Sequence, residues 1–284
     1  MMEIITWNVQ SGLGVDGRVD LGRIAAAVRE LGDPDIICFQ EVARHMQVSG
    51  SEPLGDQAAE FQRLFPDHEL FFGPVVDAAA EGSGRRQFGN LMMSRLPVHR
   101  CSHHVLPRPA VPGILHMPRQ ATELIVDAHG EPLRIVATHL EYFATQQRAA
   151  QVQRLLALHR EACANARMPP RDAQIGPYAG MPLPGNAVLC GDFNFKPMDP
   201  EYAAMTRADG DAPPLVDAWR IVHGDRPHAP TCGIFDSEQW PEGPHCRDFF
   251  FVTENLASRL ELLQVHLETN ASDHQPVRIG IADR

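Results

Sequence analysis

The stretch Val188–Leu189–Cys190–Gly191–Asp192–Phe193–Asn194–Phe195 carries most of what the chain says about its fold. Three apolar residues make a buried strand, which breaks at Gly191 into an acid and an amide separated by one aromatic residue. In extended backbone, residues two apart point the same way, so Asp192 and Asn194 face one cavity while Phe193 turns into the core. A carboxylate beside a neutral amide suits a phosphate held by a divalent cation, because one binds metal or water and the other donates hydrogen bonds. The same residues also suit a strand-end turn in which Asp and Asn satisfy backbone groups, and the sequence alone supports both readings.

Working outward, the layout of apolar strand followed by polar end recurs. A strand over 1–9 ends on Trp7–Asn8, and a helix over 21–31 is N-capped by Asp20 and stopped by Gly32 and Pro34. A buried strand over 35–41 finishes on Glu41. An acid there is costly inside unless paired or metal-bound, so it opens either into a cleft or, as a plain strand end, into solvent. A helix over 56–65 and a strand near 69–72 follow, then a surface loop over 77–86 and a strand from Asn90 to the polar pair Ser94–Arg95. Two alternating strands, 120–127 and 132–140, meet at His129–Gly130, and the second ends Thr138–His139–Leu140–Glu141.

An amphipathic helix fits 145–165. The Pro- and Gly-rich connection over 168–186 is too long for an ordinary loop, and its place before the Val188 strand puts it at the face opposite the polar strand ends. A helix over 216–221 and an irregular segment over 223–247 precede a strand led by Asp248. After an alternating stretch over 260–267, Asp273–His274 forms a turn into the closing strand over 278–281. Cys101, His103 and His104 cluster on a strand over 98–106, but no partner spacing matches a zinc site, which favours an exposed sheet edge.

With 284 residues, 44% of them hydrophobic, the chain can form one large domain over 1–284. Six cysteines without a C-x-x-C pair read as small buried hydrophobes of a reducing compartment. No apolar run approaches the ~18 residues that span a bilayer, and residues 1–9 alternate as a strand rather than as a leader. The expectation is a cytoplasmic protein with neither a membrane nor an obligate protein partner. The net charge of −11 argues against a wide basic face for nucleic acid, and with Lys196 as the only lysine, cationic work falls to arginine.

Polar groups thus recur at strand ends in one order: Asn8, Glu41, His139, Asp192 with Asn194, Asp248, and Asp273 with His274. With Thr6–Trp7–Asn8, Phe39–Gln40–Glu41–Val42, Asn90 and Ser94–Arg95, Thr138–His139–Leu140, Gly191–Asp192–Phe193–Asn194 and Ser272–Asp273–His274, the chain resembles the endonuclease/exonuclease/phosphatase superfamily over nearly its whole length. The resemblance implies an α+β fold, a four-layer α/β/β/α sandwich of two mainly antiparallel sheets flanked by helices, with the site at one rim. It implies Glu41 as principal metal ligand assisted by Asn8 and Asp273, with Mg²⁺ or Mn²⁺ as the ion. Asp192 would orient water or join a second metal position, Asn194 and His139 would hold phosphate oxygens, and His274 would pair with Asp248. Asn90 and Arg95 would bind substrate.

The implied activity is metal-dependent hydrolysis of a phosphoester by in-line attack of water; the alternatives are a DNA or RNA nuclease and a silent binding module of the same fold. The sequence departs from the family pattern at two points. The acid that some relatives carry before the Asn90 strand has no clear counterpart, Glu81 being the nearest, and Arg247 stands where an apolar residue is usual before Asp248.

Overall fold

The computed structural model describes residues 1–48, 54–80, 84–171, 173, 175–208 and 210–283. Strand β1 (Met2–Asn8), helix α1 (Leu21–Leu31) and strand β2 (Ile36–Arg44) form a crossover unit in which β2 lies parallel to β1. Helix α2 (Gln57–Leu64), β3 (Glu69–Ala79) and β4 (Arg85–Ser94) follow, then the meander β5 (Val98–Val105), β6 (Gln120–Asp127) and β7 (Pro132–His139). Helix α3 (Thr145–Arg167) crosses to β8 (Ala187–Asp192), again parallel to the strand before it. The chain continues with α4 (Pro200–Thr206), β9 (Leu215–Asp217), α5 (Ala218–His223), β10 (Asp248–Thr253), β11 (Leu260–Val265) and β12 (Val277–Ile281).

Two six-stranded sheets result, ordered β11-β12-β1-β2-β4-β3 and β5-β6-β7-β8-β10-β9. Each has one parallel pair at its centre and antiparallel neighbours outside it. Alternation sorts the strand residues between two faces. Ile4, Cys38, Ile135, Val188, Phe250 and Ile279 pack between the sheets. Their neighbours Ile5, Trp7 and Phe39 pack beneath α1 and α2, and Val136, Leu189 and Phe251 beneath α3 and α4. The layers are therefore helix, sheet, sheet, helix.

Local signals explain the elements. The Asp20 side chain accepts from Arg23 N to start α1, and Ile24, Ala25, Val28 and Leu31 make its buried stripe. The expected surface loop over 77–86 is instead largely the tip of the β3–β4 hairpin: Asp77, Ala78 and Ala79 pair with Gln87, Arg86 and Arg85, and Arg85 Nε donates to Asp77 Oδ1 at 2.7 Å. The cross-strand ion pair stands in for the apolar alternation that normally marks a strand. Glu81 lies outside the described residues. The segment expected as a helix over 216–221 is split between β9 and α5.

The connection after α3 enters β8 at Ala187, the end away from Asp192, as expected. All six cysteines are free, and all but Cys101 are buried. Strand β5, which carries Cys101, His103 and His104, is a sheet edge. No helix among the described residues is long and apolar enough to cross a membrane.

Candidate active site

The inner faces of the two sheets do not stay apolar to the end. On β7 and β8 the positions Ile135, Ala137 and Val188, Cys190 lead to His139 and Asp192, and on β1 Ile4 leads to Asn8. Because β1 and β2 run parallel, as do β7 and β8, these C-terminal ends collect at one rim. Antiparallel β10 and β12 bring their N-terminal ends there, Asp248 opposite Asp192, with Asp273 and His274 just before β12. The site is thus the outermost layer of the inter-sheet core, with polar groups in place of apolar ones.

Glu41 arrives differently. Strict alternation on β2 would send it to the helix side with Ile37 and Phe39. However, Phe39 pairs with Leu91 and Val42 with Gly89, so Gln40 and Glu41 together oppose Asn90. This bulge, with Glu41 at φ 62°, turns its carboxylate toward the site and returns Val42 to the helix side.

Asn8 Nδ2 donates to Glu41 Oε1 at 3.0 Å and to Asp192 Oδ2 at 3.1 Å. The Asp192 Oδ2 atom is also 3.4 Å from His139 Nε2 and 3.8 Å from His274 Nε2. His274 Nδ1 lies 2.8 Å from Asp248 Oδ2, which accepts from Thr231 Oγ1 at 2.6 Å. Asp273 Oδ2 accepts from Gln239 Nε2 at 2.9 Å and Trp240 Nε1 at 3.3 Å, while Ser272 Oγ ties the turn to Asn8 O at 2.7 Å. The strand-end turn of the opening stretch is formed. Asn194 N donates to Asp192 Oδ1, and Asn194 Nδ2 donates to Leu140 O, while Asp192 Oδ2 faces the other polar groups and Phe193 packs edge-on among buried rings.

Charge is unbalanced here. Burial and then the nearby Asp273 push Glu41 up to about 7, and Asp248 rises to about 6, chiefly by burial. Asp273 is raised for the same reason. Asp192 stays low: burial opposes ionisation, but His274, His139 and hydrogen bonds from Asn8 and Asn194 outweigh it. Burial and the Arg119 charge push His139 down to about 3, so its ring is neutral. His274 is raised well above its ordinary value, because Asp248, Asp273 and Asp192 outweigh burial. Carboxylates crowded until they bind protons are what a cation would relieve, and their oxygen donors suit a hard ion. Asp192, Asp248 and His274 offer ligand atoms within 4.8 Å of one another, and Glu41 and Asp273 stand beside them.

The model of the Endonuclease/Exonuclease/phosphatase family matches residues 5–274. The chain belongs to this family. Among solved structures, an endonuclease/exonuclease/phosphatase from Beutenbergia cavernae is similar at 25% identity and TM-score 0.68, covering 98% of this chain and 70% of that one. The human Nocturnin catalytic domain with bound sulfate is similar at 18% identity and TM-score 0.62, covering 98% and 93%. A mannosyl-6-phosphatase of Bacteroides thetaiotaomicron is similar at 16% identity and TM-score 0.68, with both chains fully covered. No curated protein matches.

Of the site residues expected for an endonuclease/exonuclease/phosphatase chain, one is not brought to the rim. Strand β4 runs antiparallel to β2, so Arg95 at its C-terminal end lies at the opposite edge, where it pairs with Asp33 at 2.8 Å and Asp35 at 3.3 Å. Asn90 sits against the Glu41 bulge, its Nδ2 3.4 Å from Gln120 O.

Other groups escaped the sequence. Arg119 is buried with Nη1 unpartnered, its Nε on Glu141 Oε2 at 3.3 Å and its charge acting on Glu41, Asp192 and His139. Thr231, Gln239 and Trp240 come from the irregular segment over 223–247. Arg247, the departure before Asp248, lies against the Tyr142 and Trp240 rings at 5.2 and 4.8 Å, and Trp240 meets the His274 ring edge-on at 5.6 Å. A lone arginine after proline and a tryptophan in an aperiodic stretch carry no pattern that would have marked them.

Proposed function

We propose that this protein is a phosphoester hydrolase using Mg²⁺ or Mn²⁺, held by Glu41 and Asp273 with Asn8 keeping Glu41 in place. An ion held there would supply positive charge to a phosphoryl oxygen and to the charge that grows in the transition state. Asp192, the carboxylate that remains ionised, accepts a hydrogen bond from the attacking water and orients it in line. The Asp248 carboxylate fixes the His274 ring through Nδ1, leaving Nε2 to hold or move a proton toward the reacting oxygens. Neutral His139, the Asn194 amide and the Arg119 guanidinium are the donors for the remaining phosphate oxygens.

The observation that carries this reading is the meeting of acids and imidazoles from both sheets around Asp192 Oδ2. Purified protein assayed on an aryl phosphodiester and the matching monoester, with Mg²⁺, Mn²⁺ or EDTA, tests it. Turnover with either ion and none with EDTA is expected. Failure on both esters, or full turnover in EDTA, would overturn it, and plasmid nicking under the same conditions identifies a nuclease.

A further inference from the structure

The acids of the site are unequally reachable. The Glu41 side chain is 26% exposed, against 2% for Asp192, 0% for Asp248 and 3% for Asp273. A substrate therefore meets the cluster from the Glu41 side. On that side lies a cleft of about 330 Å³, within the roughly 300–1,000 Å³ of small-molecule sites.

Its walls come from four separate segments: Leu13 before α1, Met46 and Val48 after β2, Val76 and Phe88 on the β3–β4 hairpin, and Met117 before β6. Among the described lining residues, Glu41 is the only charged one. The polar groups at its inner end are already engaged: Ser11 Oγ donates to Glu41 O at 3.0 Å, and Gln10 N donates to Asn8 Oδ1 at 3.1 Å. Two arginines of the flanking strands are paired elsewhere, Arg44 with Asp56 at 2.7 Å and Arg85 with Asp77 at 2.7 Å. A second phosphate lying along this cleft would find no cation among its described lining residues and a carboxylate at its end, whereas an apolar group would be desolvated on several sides.

We propose that this cleft receives an uncharged, apolar organic group of the substrate, an inference that rests on the phosphoesterase reading above. Phosphate would sit at the carboxylate cluster and the hydrocarbon would extend along Met46, Val76, Phe88 and Met117. The substrate class is then a phosphoester of an apolar alcohol, not a polynucleotide or a polyphosphate.

Alkylphosphonates, which cannot be hydrolysed, test this as competitive inhibitors of aryl phosphodiester turnover with Mn²⁺. From methyl- to hexylphosphonate the inhibition constant is expected to fall by up to about fourfold per methylene, and by at least about 30-fold in all. In Val76→Asp, and independently in Met117→Gln, that ratio should shrink at least about fivefold. A constant unchanged by chain length, or a dependence that survives in both variants, would overturn the cleft assignment. Calorimetry of the same phosphonates with Mn²⁺ decides the cleft even without turnover, and absence of turnover counts against the phosphoesterase reading alone.

Discussion

Asn8 in one sheet donates to Asp192 in the other across 3.1 Å and 184 residues of sequence. The same amide nitrogen reaches Glu41, so one side chain holds together two acids that repel. Those acids raise no barrier to folding only because the rest of the fold outweighs them, and substitutions should expose the strain.

Glu41→Gln keeps the shape and removes the charge. Turnover is expected to fall at least ~10²-fold, with divalent-ion affinity lost in calorimetry. Without metal the variant should be more stable than the parent. The folded value of Glu41, about 7, lies above its ordinary 4.5, so its ionisation destabilises the fold increasingly as pH rises from 4.5 to 7. At pH 8 the gain is on the order of 2–3 kcal/mol, measured by urea unfolding in EDTA. Equal stability of the two proteins at pH 8 would show that Glu41 is not strained.

Asp248→Asn leaves the ring position of His274 almost unchanged but deprives the imidazole of its closest counter-charge. A fall in turnover of ~10²–10⁴-fold is expected. The His274 titration, followed by NMR in EDTA, should move to lower pH. A titration that stays in place would mean that Asp273 and Asp192 alone hold the ring charged.

Gly191→Ala should damage the site from beneath. Gly191 has φ +134°, and a Cβ there would meet Thr138 O at 1.9 Å. The neighbouring strand must shift, and Asp192 with it. A loss of about 3 kcal/mol by urea unfolding, with reduced turnover per folded molecule, is expected. A stability loss below about 1 kcal/mol would contradict the close strand approach.

Glu123→Gln probes a charge group away from the rim. Glu123 Oε2 accepts from Arg134 Nε at 3.0 Å and Nη2 at 2.8 Å, on the face of β6 opposite Leu124 and the inter-sheet core. Burial would raise the Glu123 value, but Arg134, His104 and Arg100 hold it below the ordinary one. Its contribution is therefore present in full above the ordinary value of 4.5 and is lost as pH falls through the lower folded value. Leaving Arg134 unpaired should cost about 3–5 kcal/mol at pH 7 by urea unfolding, a deficit that narrows at acid pH. A cost below about 1 kcal/mol at pH 7 would show that water reaches the pair.

Much of the site was legible because a polar residue ending an apolar strand stands out, whatever the fold. Asn8, His139 and Asp192 were picked out as polar ends of apolar strands, and in the fold each continues the inner face of its strand. Glu41 was found by position, but the bulge that aims it leaves no trace in hydrophobic pattern. Arg95 shows the limit: Ser94–Arg95 ends its strand, as Glu41 was expected to end a strand that in fact runs on to Arg44, yet β4 runs the other way, and direction is known only once strands pair. Arg119, Thr231 and Trp240 sit in loops, where no period relates sequence to orientation.

Strand β1 is flanked by β2, made soon after it, and by β12, the last strand in chain order. During synthesis on the ribosome, β1 must therefore wait with one hydrogen-bonding edge uncovered until Val277–Ile281 has emerged. Asp273 and His274 emerge just ahead of that strand, so a nascent or prematurely terminated chain carries a sticky edge and no working centre.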